Sequence, residues 1–183
     1  MKLDRDRSAL VLVDYQDRLW PVLSEGESVV KQAVFLGRVA QALGVPVLGT
    51  EQNPQRLGPN AEAVRSLCAH TLSKLHFDAT ADGLLELLRS NVRPVSQGVV
   101  AGCEAHVCLM QTALGLLAAG LQVAVVPEAC ASRRPSDKAQ GLQRLAAAGA
   151  VMLSAEMLAF EWLHSCEDPQ FKPVLSLIKE RPV

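Results

Sequence analysis

The stretch of sequence that most constrains the fold is residues 97–120, QGVVAGCEAHVCLMQTALGLLAAG. Its small apolar run at residues 99–101 is typical of a buried strand, and a glycine follows it directly. From His106 onward, apolar residues recur at helical spacing as far as Gly120, a residue type that commonly ends helices. The pattern predicts a strand followed at once by a helix, with Cys108 in the first helical turn.

Cys108 has two interpretations at this position. A free cysteine is most often a small buried hydrophobe, which would give it a structural role. At the start of a helix, however, unpaired backbone N–H groups and the positive end of the helix dipole stabilise a thiolate. The second interpretation makes Cys108 a candidate nucleophile with a lowered pKa.

A second apolar run, at residues 9–13, is typical of a central parallel strand that is covered on both faces. Asp14 follows this run, at the carboxyl edge of the predicted sheet, where open α/β folds bind their ligands. From its position alone, Asp14 is as well explained by a turn or capping role as by a role in a site.

The rest of the chain alternates between strand and helix patterns, which predicts a single α/β domain over residues 1–183. Further strands are predicted at residues 46–50, 121–126 and 150–153. Helices are predicted at residues 27–43, 61–68, 81–88, 136–148, 154–163 and 169–178. Loops at the carboxyl edge of the sheet are predicted at residues 51–60 and 127–133, and a turn at residues 91–94.

The composition of the chain limits the classes of partner that we expect it to bind. With 183 residues and a hydrophobic fraction of 49%, the chain is long enough for one well-filled core. A net charge of -1 without basic clusters predicts no nucleic-acid partner, and no apolar run is long enough for a membrane span. The charged start is unlike a secretory signal, so we expect a cytoplasmic protein with reduced thiols, whose partners are small molecules or copies of itself.

Three segments resemble a known superfamily. The run Gly102-Cys103-Glu104-Ala105-His106-Val107-Cys108, followed by Thr112-Ala113, resembles the G-x-E-T-H-x-C nucleophile segment of the isochorismatase-like hydrolases, from which only Ala105 departs. This superfamily includes nicotinamidases, N-carbamoyl amide hydrolases and isochorismatases. Asp14-Tyr15-Gln16 resembles its strand-Asp-x-Gln segment, and Lys74 and Phe77 match a lysine followed three residues later by an aromatic residue.

The resemblance implies a fold and a catalytic site. The fold is a three-layer α/β/α Rossmann-type domain with a doubly wound, mainly parallel sheet of six strands. The catalytic triad is Asp14, Lys74 and Cys108, although a lysine in a loop is usually a solvated surface residue. The oxyanion is held by the backbone N–H groups of Glu104 and Cys108, next to a cis Cys103–Glu104 peptide bond.

The resemblance also bears on metals. Metal-dependent nicotinamidases carry an Asp-x-His pair and a further histidine after the second strand, and residues 51–60 of this chain contain none of these. We therefore expect no metal and no cofactor. Residues 50–54, 57–59 and 168–180 resemble the metal-free branch known as isochorismatase domain-containing proteins. Glu128 stands where the family usually has an aspartate, and its role is left open.

The three candidate groups support covalent hydrolysis at a carbonyl. Asp14 would take the Cys108 proton beside Lys74, and the thiolate would attack a small amide, imide or ureido group to form a thioester. One alternative is a non-catalytic or redox-sensing oligomeric protein that uses a low-pKa Cys108. Another is vinyl-ether hydrolysis of the isochorismatase type. Pairing of His106 with Cys108 is disfavoured, because residues two apart on a helix do not face each other.

Further residues are candidates for lining the substrate pocket or for self-association. We expect at least a dimer; exposed apolar helix surface near residues 109–117 is one candidate for the contact, and the interface itself is left open. The pocket candidates are Tyr15, Gln16, Trp20, Glu51, His76, Phe77 and Cys103.

Overall fold

The computed structural model, which describes residues 1–90 and 93–181, is built around a six-stranded sheet in which every pair of neighbouring strands is parallel. The strand order is β3-β2-β1-β4-β5-β6. The strands are Ser8–Val13 (β1), Val47–Gln52 (β2), His70–Lys74 (β3), Gln97–Cys103 (β4), Gln122–Ala131 (β5) and Val151–Met152 (β6). The predicted α/β class with a doubly wound parallel sheet is confirmed.

Helices cover both faces of this sheet. The first helix along the chain contacts the third, seventh and eighth helices. The fifth helix contacts the sixth helix and a short 3-10 turn, and the same turn contacts the fourth helix. The helices are Gly26–Ala42 (α1), Pro54–Leu57 (α2), Glu62–Arg65 (α3), Leu84–Arg89 (α4), Cys108–Ala118 (α5), Pro135–Ala147 (α6), Ala155–Leu163 (α7) and Phe171–Lys179 (α8). The 3-10 turns are Trp20–Val22 and Ala79–Asp82. Among the described residues, no helix combines the length and apolarity that crossing a membrane would require.

The strand order reverses between β1 and β4, which places a crevice at their carboxyl ends. Both strands are buried along their whole length, as their apolar runs predict. They approach each other closely at Gly102, where a Cβ atom would lie 2.2 Å from the carbonyl oxygen of Val13. Gly102 also has a φ of 154°, so a side chain there would be both strained and blocked.

Several predicted boundaries are wrong. Strand β3 lies in a segment with no predicted strand, and β2 continues to Gln52, so the predicted loop at 51–60 begins two residues later and contains α2. The region predicted as a helix at 81–88 is a 3-10 turn followed by α4, because Gly83 separates them with a φ of 109°. Asn91 and Val92 of the predicted turn at 91–94 lie outside the described residues.

The predicted edge loop at 127–133 is also wrong, because β5 runs on to Ala131. The register with β4 jumps from Val100 opposite Val125 to Gly102 opposite Cys130, so β5 carries three additional residues in a bulge. Glu128 lies in this bulge, and its carboxylate accepts hydrogen bonds from the backbone N–H of Ala155 at 2.7 Å and from Arg181 at 2.9 Å. Glu128 therefore ties β5 to the start of α7 and to the end of the chain.

The large apolar residues of α5 are buried or half-buried, so this helix offers less exposed surface for self-association than the sequence pattern indicates. Leu109 and Leu116 are fully buried, and Leu114 and Leu117 pack against the core. The large apolar side chains with the most exposure lie elsewhere, at Met1, Val22, Leu75, Phe77, Met157 and Phe160.

Candidate active site

A buried ion pair lies at the carboxyl edge of the sheet. Asp14 directly follows β1 in a left-handed conformation with a φ of 55°, and Lys74 is the last residue of β3. The Lys74 Nζ atom lies 2.8 Å from Asp14 Oδ2, and both side chains are completely buried. The second carboxylate oxygen of Asp14 accepts a hydrogen bond of 2.7 Å from the Thr50 hydroxyl. This environment excludes the interpretation of Lys74 as a solvated surface lysine.

The Lys74 ammonium has two further acceptors. It donates to Gln52 Oε1 at 2.7 Å and to the carbonyl oxygen of His76 at 3.4 Å. With Asp14, these acceptors use all three of its N–H donors. A buried cation that is hydrogen-bonded in this way is held in one position. Lys74 is therefore fixed between Asp14 and Gln52.

Cys108 begins α5, and its thiol faces the same group of residues. Its Sγ atom lies 3.9 Å from Gln52 Oε1, and the residue is only 6% exposed. Burial raises the pKa of Cys108 to about 12, and the Asp14 carboxylate adds to this rise, while Lys74 opposes it. The expectation of a lowered pKa is therefore wrong for the resting site. Loss of solvent and the nearby carboxylate outweigh the ammonium, so the thiol keeps its proton at neutral pH.

The segment between β4 and α5 is held firmly beside the thiol. The Cys103–Glu104 peptide bond is cis. The Glu104 carboxylate accepts hydrogen bonds from the Arg133 backbone N–H at 2.9 Å and from its Nε at 3.1 Å, while the Ala105 N–H donates to Ala131 at 2.7 Å. Among the hydrogen bonds of the described residues, none uses the backbone N–H of Glu104 or of Cys108. These two N–H groups are thus not used by the hydrogen bonds that hold the segment.

His106 belongs to the support of this segment. Its Nδ1 atom lies 2.9 Å from Ser132 Oγ, and its Nε2 atom lies 4.0 Å from Asp137 Oδ2. Both neighbours come from the connection between β5 and α6 and from the first turn of α6. The ring therefore bridges two loops, which agrees with the argument against its pairing with Cys108.

The structure divides the pocket candidates into two groups. Tyr15, Gln16, Glu51 and Cys103 are buried. Three of these four make structural hydrogen bonds: the Tyr15 hydroxyl donates to Ala129, Gln16 Nε2 donates to Gln52 and Gly58, and Glu51 accepts from the Asn60 N–H. In the second group, Trp20 is partly exposed, and His76 and Phe77 are exposed.

The exposed residues lie on the segment that follows Lys74. Asp82 holds this segment by accepting from the backbone N–H groups of Leu75 and His76, and its other oxygen lies 2.9 Å from the His76 ring. The hydrogen bond with His76 lowers the pKa of Asp82. The segment thus presents the His76 and Phe77 side chains outward while its carbonyl groups face Lys74 and Gln52.

Gln52 contacts Lys74 and Cys108, Thr50 contacts Asp14, and the sequence pattern predicts no role in the site for either. Both lie near the end of β2, which neighbours β1 in the sheet. The rule that identified Asp14, that polar residues at the carboxyl ends of parallel strands converge, applies to them equally. Within the described part of the chain, no group of three or more histidine, cysteine, aspartate or glutamate side chains is arranged to hold a metal ion.

Comparison with known proteins agrees with this architecture. Residues 8–157 match the Isochorismatase domain. The chain is 35% identical over 176 residues to isochorismatase domain-containing protein 2A of Mus musculus, which covers 96% of this chain and 84% of the relative. It is 36% identical over 174 residues to isochorismatase domain-containing protein 2 of Homo sapiens, which covers 94% of this chain and 83% of the relative.

Solved structures extend the comparison to three dimensions. The structure of the MAR1 ribonuclease from Caenorhabditis elegans superposes with a TM-score of 0.93 at 27% identity and covers 100% of this chain and 95% of its own. The YcaC protein of Escherichia coli, described as an octameric hydrolase of unknown specificity, shares the fold with a TM-score of 0.91 at 20% identity, covering 99% and 91%. From the matched domain and the curated relatives, the chain belongs to the isochorismatase-like hydrolase family.

Proposed function

We propose that this protein is a cysteine hydrolase that cleaves the C–N bond of a small amide, imide or ureido compound through a thioester on Cys108. The observation that carries the proposal is the completely buried Asp14–Lys74 ion pair beside the Cys108 thiol at a helix N-terminus. A base, a cation and a nucleophile then converge from three separate elements, as covalent acyl transfer requires.

The first half of the reaction forms the acyl-enzyme. Asp14 accepts the proton from Cys108 as Sγ attacks the substrate carbonyl carbon, so the thiolate forms only as it is used. Lys74 and the start of α5 stabilise the negative charge on sulfur. The carbonyl electron pair moves onto oxygen, which the backbone N–H groups of Glu104 and Cys108 hold. Asp14 then donates its proton to the leaving nitrogen, and the C–N bond breaks.

The second half regenerates the enzyme. A water molecule gives its proton to Asp14 while its oxygen attacks the thioester carbon. The C–S bond breaks with its electron pair on sulfur, and Asp14 returns the proton to Cys108. The net reaction adds one water across the C–N bond, so it consumes no oxidant and no cofactor.

The raised pKa of Cys108 weighs against the redox-sensing alternative. Oxidation of a thiol proceeds through its thiolate and requires access to solvent, whereas burial raises the pKa of Cys108 and the residue is only 6% exposed. Vinyl-ether hydrolysis of the isochorismatase type would need no cysteine nucleophile. A thiol positioned beside a carboxylate base therefore favours acyl chemistry.

Self-association is part of the proposal. Val22, Leu75 and Phe77 are 62%, 73% and 51% exposed, and exposed apolar side chains of this size commonly become buried between subunits. Leu75 directly follows Lys74 and Phe77 lies two residues further on, so a second copy that covered them would also narrow the entrance to the site.

The test is a panel of small primary amides, cyclic imides and ureido acids, with ammonia or amine release, or ring opening for the imides, measured and the intact protein weighed during turnover. We expect release together with an acyl adduct on Cys108. Cys108→Ala should abolish both, whereas Cys166→Ser, which changes an exposed thiol, should leave both unchanged.

RNA is included in the panel because the C. elegans protein of similar structure is named a ribonuclease. The net charge of -1 offers little attraction to phosphates. Cleavage of RNA that persists in Cys108→Ala, without turnover of any amide, would refute the proposal.

A further inference from the structure

Gln52 links the nucleophile to the cation of the site. Its Oε1 atom accepts a hydrogen bond of 2.7 Å from Lys74 Nζ and lies 3.9 Å from Cys108 Sγ, where it accepts from the thiol. One neutral oxygen thus contacts two members of the proposed triad. The third member, Asp14, binds the same ammonium at 2.8 Å.

The orientation of the Gln52 amide is fixed by its partners. Lys74 can only donate, so the atom facing it must be the amide oxygen. The amide nitrogen donates to the carbonyl oxygen of Leu75 at 2.8 Å, and a carbonyl can only accept. A flipped amide would set donor against donor and acceptor against acceptor. The oxygen is therefore directed at Lys74 and Cys108.

The backbone of Gln52 is clamped as well. The side chain of Gln16 accepts from the Gln52 N–H at 2.8 Å and donates to the Gln52 carbonyl at 3.0 Å. Gln16 is fully buried, so this reciprocal pair is protected from water. The residue that presents the oxygen to the thiol is consequently held at both its backbone and its side chain.

We propose that Gln52 is a positioning residue that holds the Cys108 thiol and the Lys74 ammonium on one amide oxygen and so keeps the ammonium from pairing directly with the sulfur at rest. The inference rests on the proposed function only in taking Cys108 as the nucleophile. An amide suits this task because its oxygen accepts from both groups and yet neither takes a proton nor adds a charge.

Two substitutions of similar size should therefore act in opposite directions. Gln52→Glu places a carboxylate beside the thiol and partly neutralises Lys74, and both changes disfavour the thiolate. Gln52→Met removes the acceptor from the thiol and frees one Lys74 N–H to bind the thiolate, and both changes favour it. A residue with a merely structural role would loosen the site in both variants and raise thiol reactivity in both.

The experiment is the rate of Cys108 alkylation by iodoacetamide as a function of pH, with mass spectrometry assigning the modified thiol. In the parent, the rate should be low at pH 8 and rise with pH, because burial raises the pKa of Cys108. At pH 8 we expect Gln52→Met to react about tenfold faster and Gln52→Glu about tenfold slower, which corresponds to about one pKa unit each way. Gln41→Met, at a surface glutamine of α1, should match the parent.

The two opposite shifts would support the proposal. Equal rates in all proteins, or a shift of both variants in the same direction, would overturn it. Gln52 is partly exposed, so both variants should fold. If the Met variant does not fold, the direction of the rate change in the Glu variant alone decides the question. Alkylation needs no substrate, so a failure of this inference is distinguishable from an absence of amide turnover.

Discussion

At the scale of single residues, the site depends on a buried ion pair in which neither charge can be removed alone without destabilising the protein. Asp14 and Lys74 are completely buried, and each would remain as an uncompensated charge without the other. We expect Asp14→Asn and Lys74→Met each to lower the free energy of unfolding by about 3–5 kcal/mol, because removing one partner of a buried pair leaves the other desolvated. Urea denaturation followed by circular dichroism measures the loss.

The double substitution Asp14→Asn with Lys74→Met distinguishes this cause from simple loss of packing. It removes both charges, so we expect it to cost clearly less than the sum of the two single substitutions. Additive losses would show that the two charges do not stabilise each other. Lys31→Met is the matched control, because its ion pair with Glu27 is exposed and should change stability by less than 1 kcal/mol.

Some of these site residues can be predicted from the sequence pattern, and others cannot. Asp14 follows an apolar run and Cys108 begins an apolar helix, so local pattern places both at the edge of the sheet. Lys74 was identified only by resemblance, because nothing in its neighbourhood marks a buried lysine. Gln52 received no role because its contact with Cys108 joins residues 56 positions apart in the chain. The pKa of Cys108 likewise depends on burial, which a helix-start pattern does not reveal.

At the scale of elements, the buried strands are predictable, whereas the edge strand β3 and the bulged end of β5 are not. Strands β1 and β4 are buried on both faces and consist of apolar runs. Strand β3, HTLSK, lies at the sheet edge with mostly partly exposed or exposed residues, so it lacks the apolar run that identifies a strand. In β5, Pro127 and Glu128 are typical of a loop, yet the strand accommodates them in a bulge.

Helix α6 positions the segment that precedes Cys108. A Cβ atom on Gly141 would lie 2.8 Å from both the Ala105 carbonyl oxygen and His106 Cα, which are backbone atoms that cannot rotate away. We expect Gly141→Ala to destabilise the protein by about 1–3 kcal/mol through overpacking, despite the higher helix propensity of alanine. Thermal unfolding measures the change.

The control lies on the same helix. Gln143 is exposed two residues later, so Gln143→Ala should change stability by no more than about 0.5 kcal/mol. If Gly141→Ala were neutral or stabilising, the close contact between α6 and the nucleophile segment would be contradicted. Because that segment carries Glu104, we also expect Gly141→Ala to reduce amide turnover more than its effect on stability explains.

At the scale of the whole molecule, the site lies where the two halves of the sheet meet. The strand order reverses between β1 and β4, so Asp14 and the segment after Cys103 flank one crevice. Lys74 reaches this crevice from the edge strand β3, two strands away from β1. The pair Asp14–Lys74 therefore spans three strands, so the geometry of the site depends on the assembled sheet.

This arrangement predicts that the chain unfolds as one cooperative unit. The two tryptophans report on opposite ends of the sheet: Trp162 is buried and donates to Ser8 at the start of β1, while Trp20 lies in the 3-10 turn after β1. We expect Trp20→Phe, which leaves only Trp162, and Trp162→Phe, which leaves only Trp20, each to show one urea transition. In each variant the fluorescence midpoint should coincide with that of its own circular dichroism signal.

Comparison within each variant removes the effect of unequal stability, since replacing the buried Trp162 costs more than replacing Trp20. A Trp20 transition that preceded the loss of helix signal would mean that the carboxyl edge opens on its own. Asp14, Lys74 and Cys108 would then separate before the rest of the sheet unfolds, and the proposed amide turnover would be lost at the lower urea concentration. Coincident transitions, with turnover lost at the same midpoint, would tie the integrity of the site to that of the whole domain.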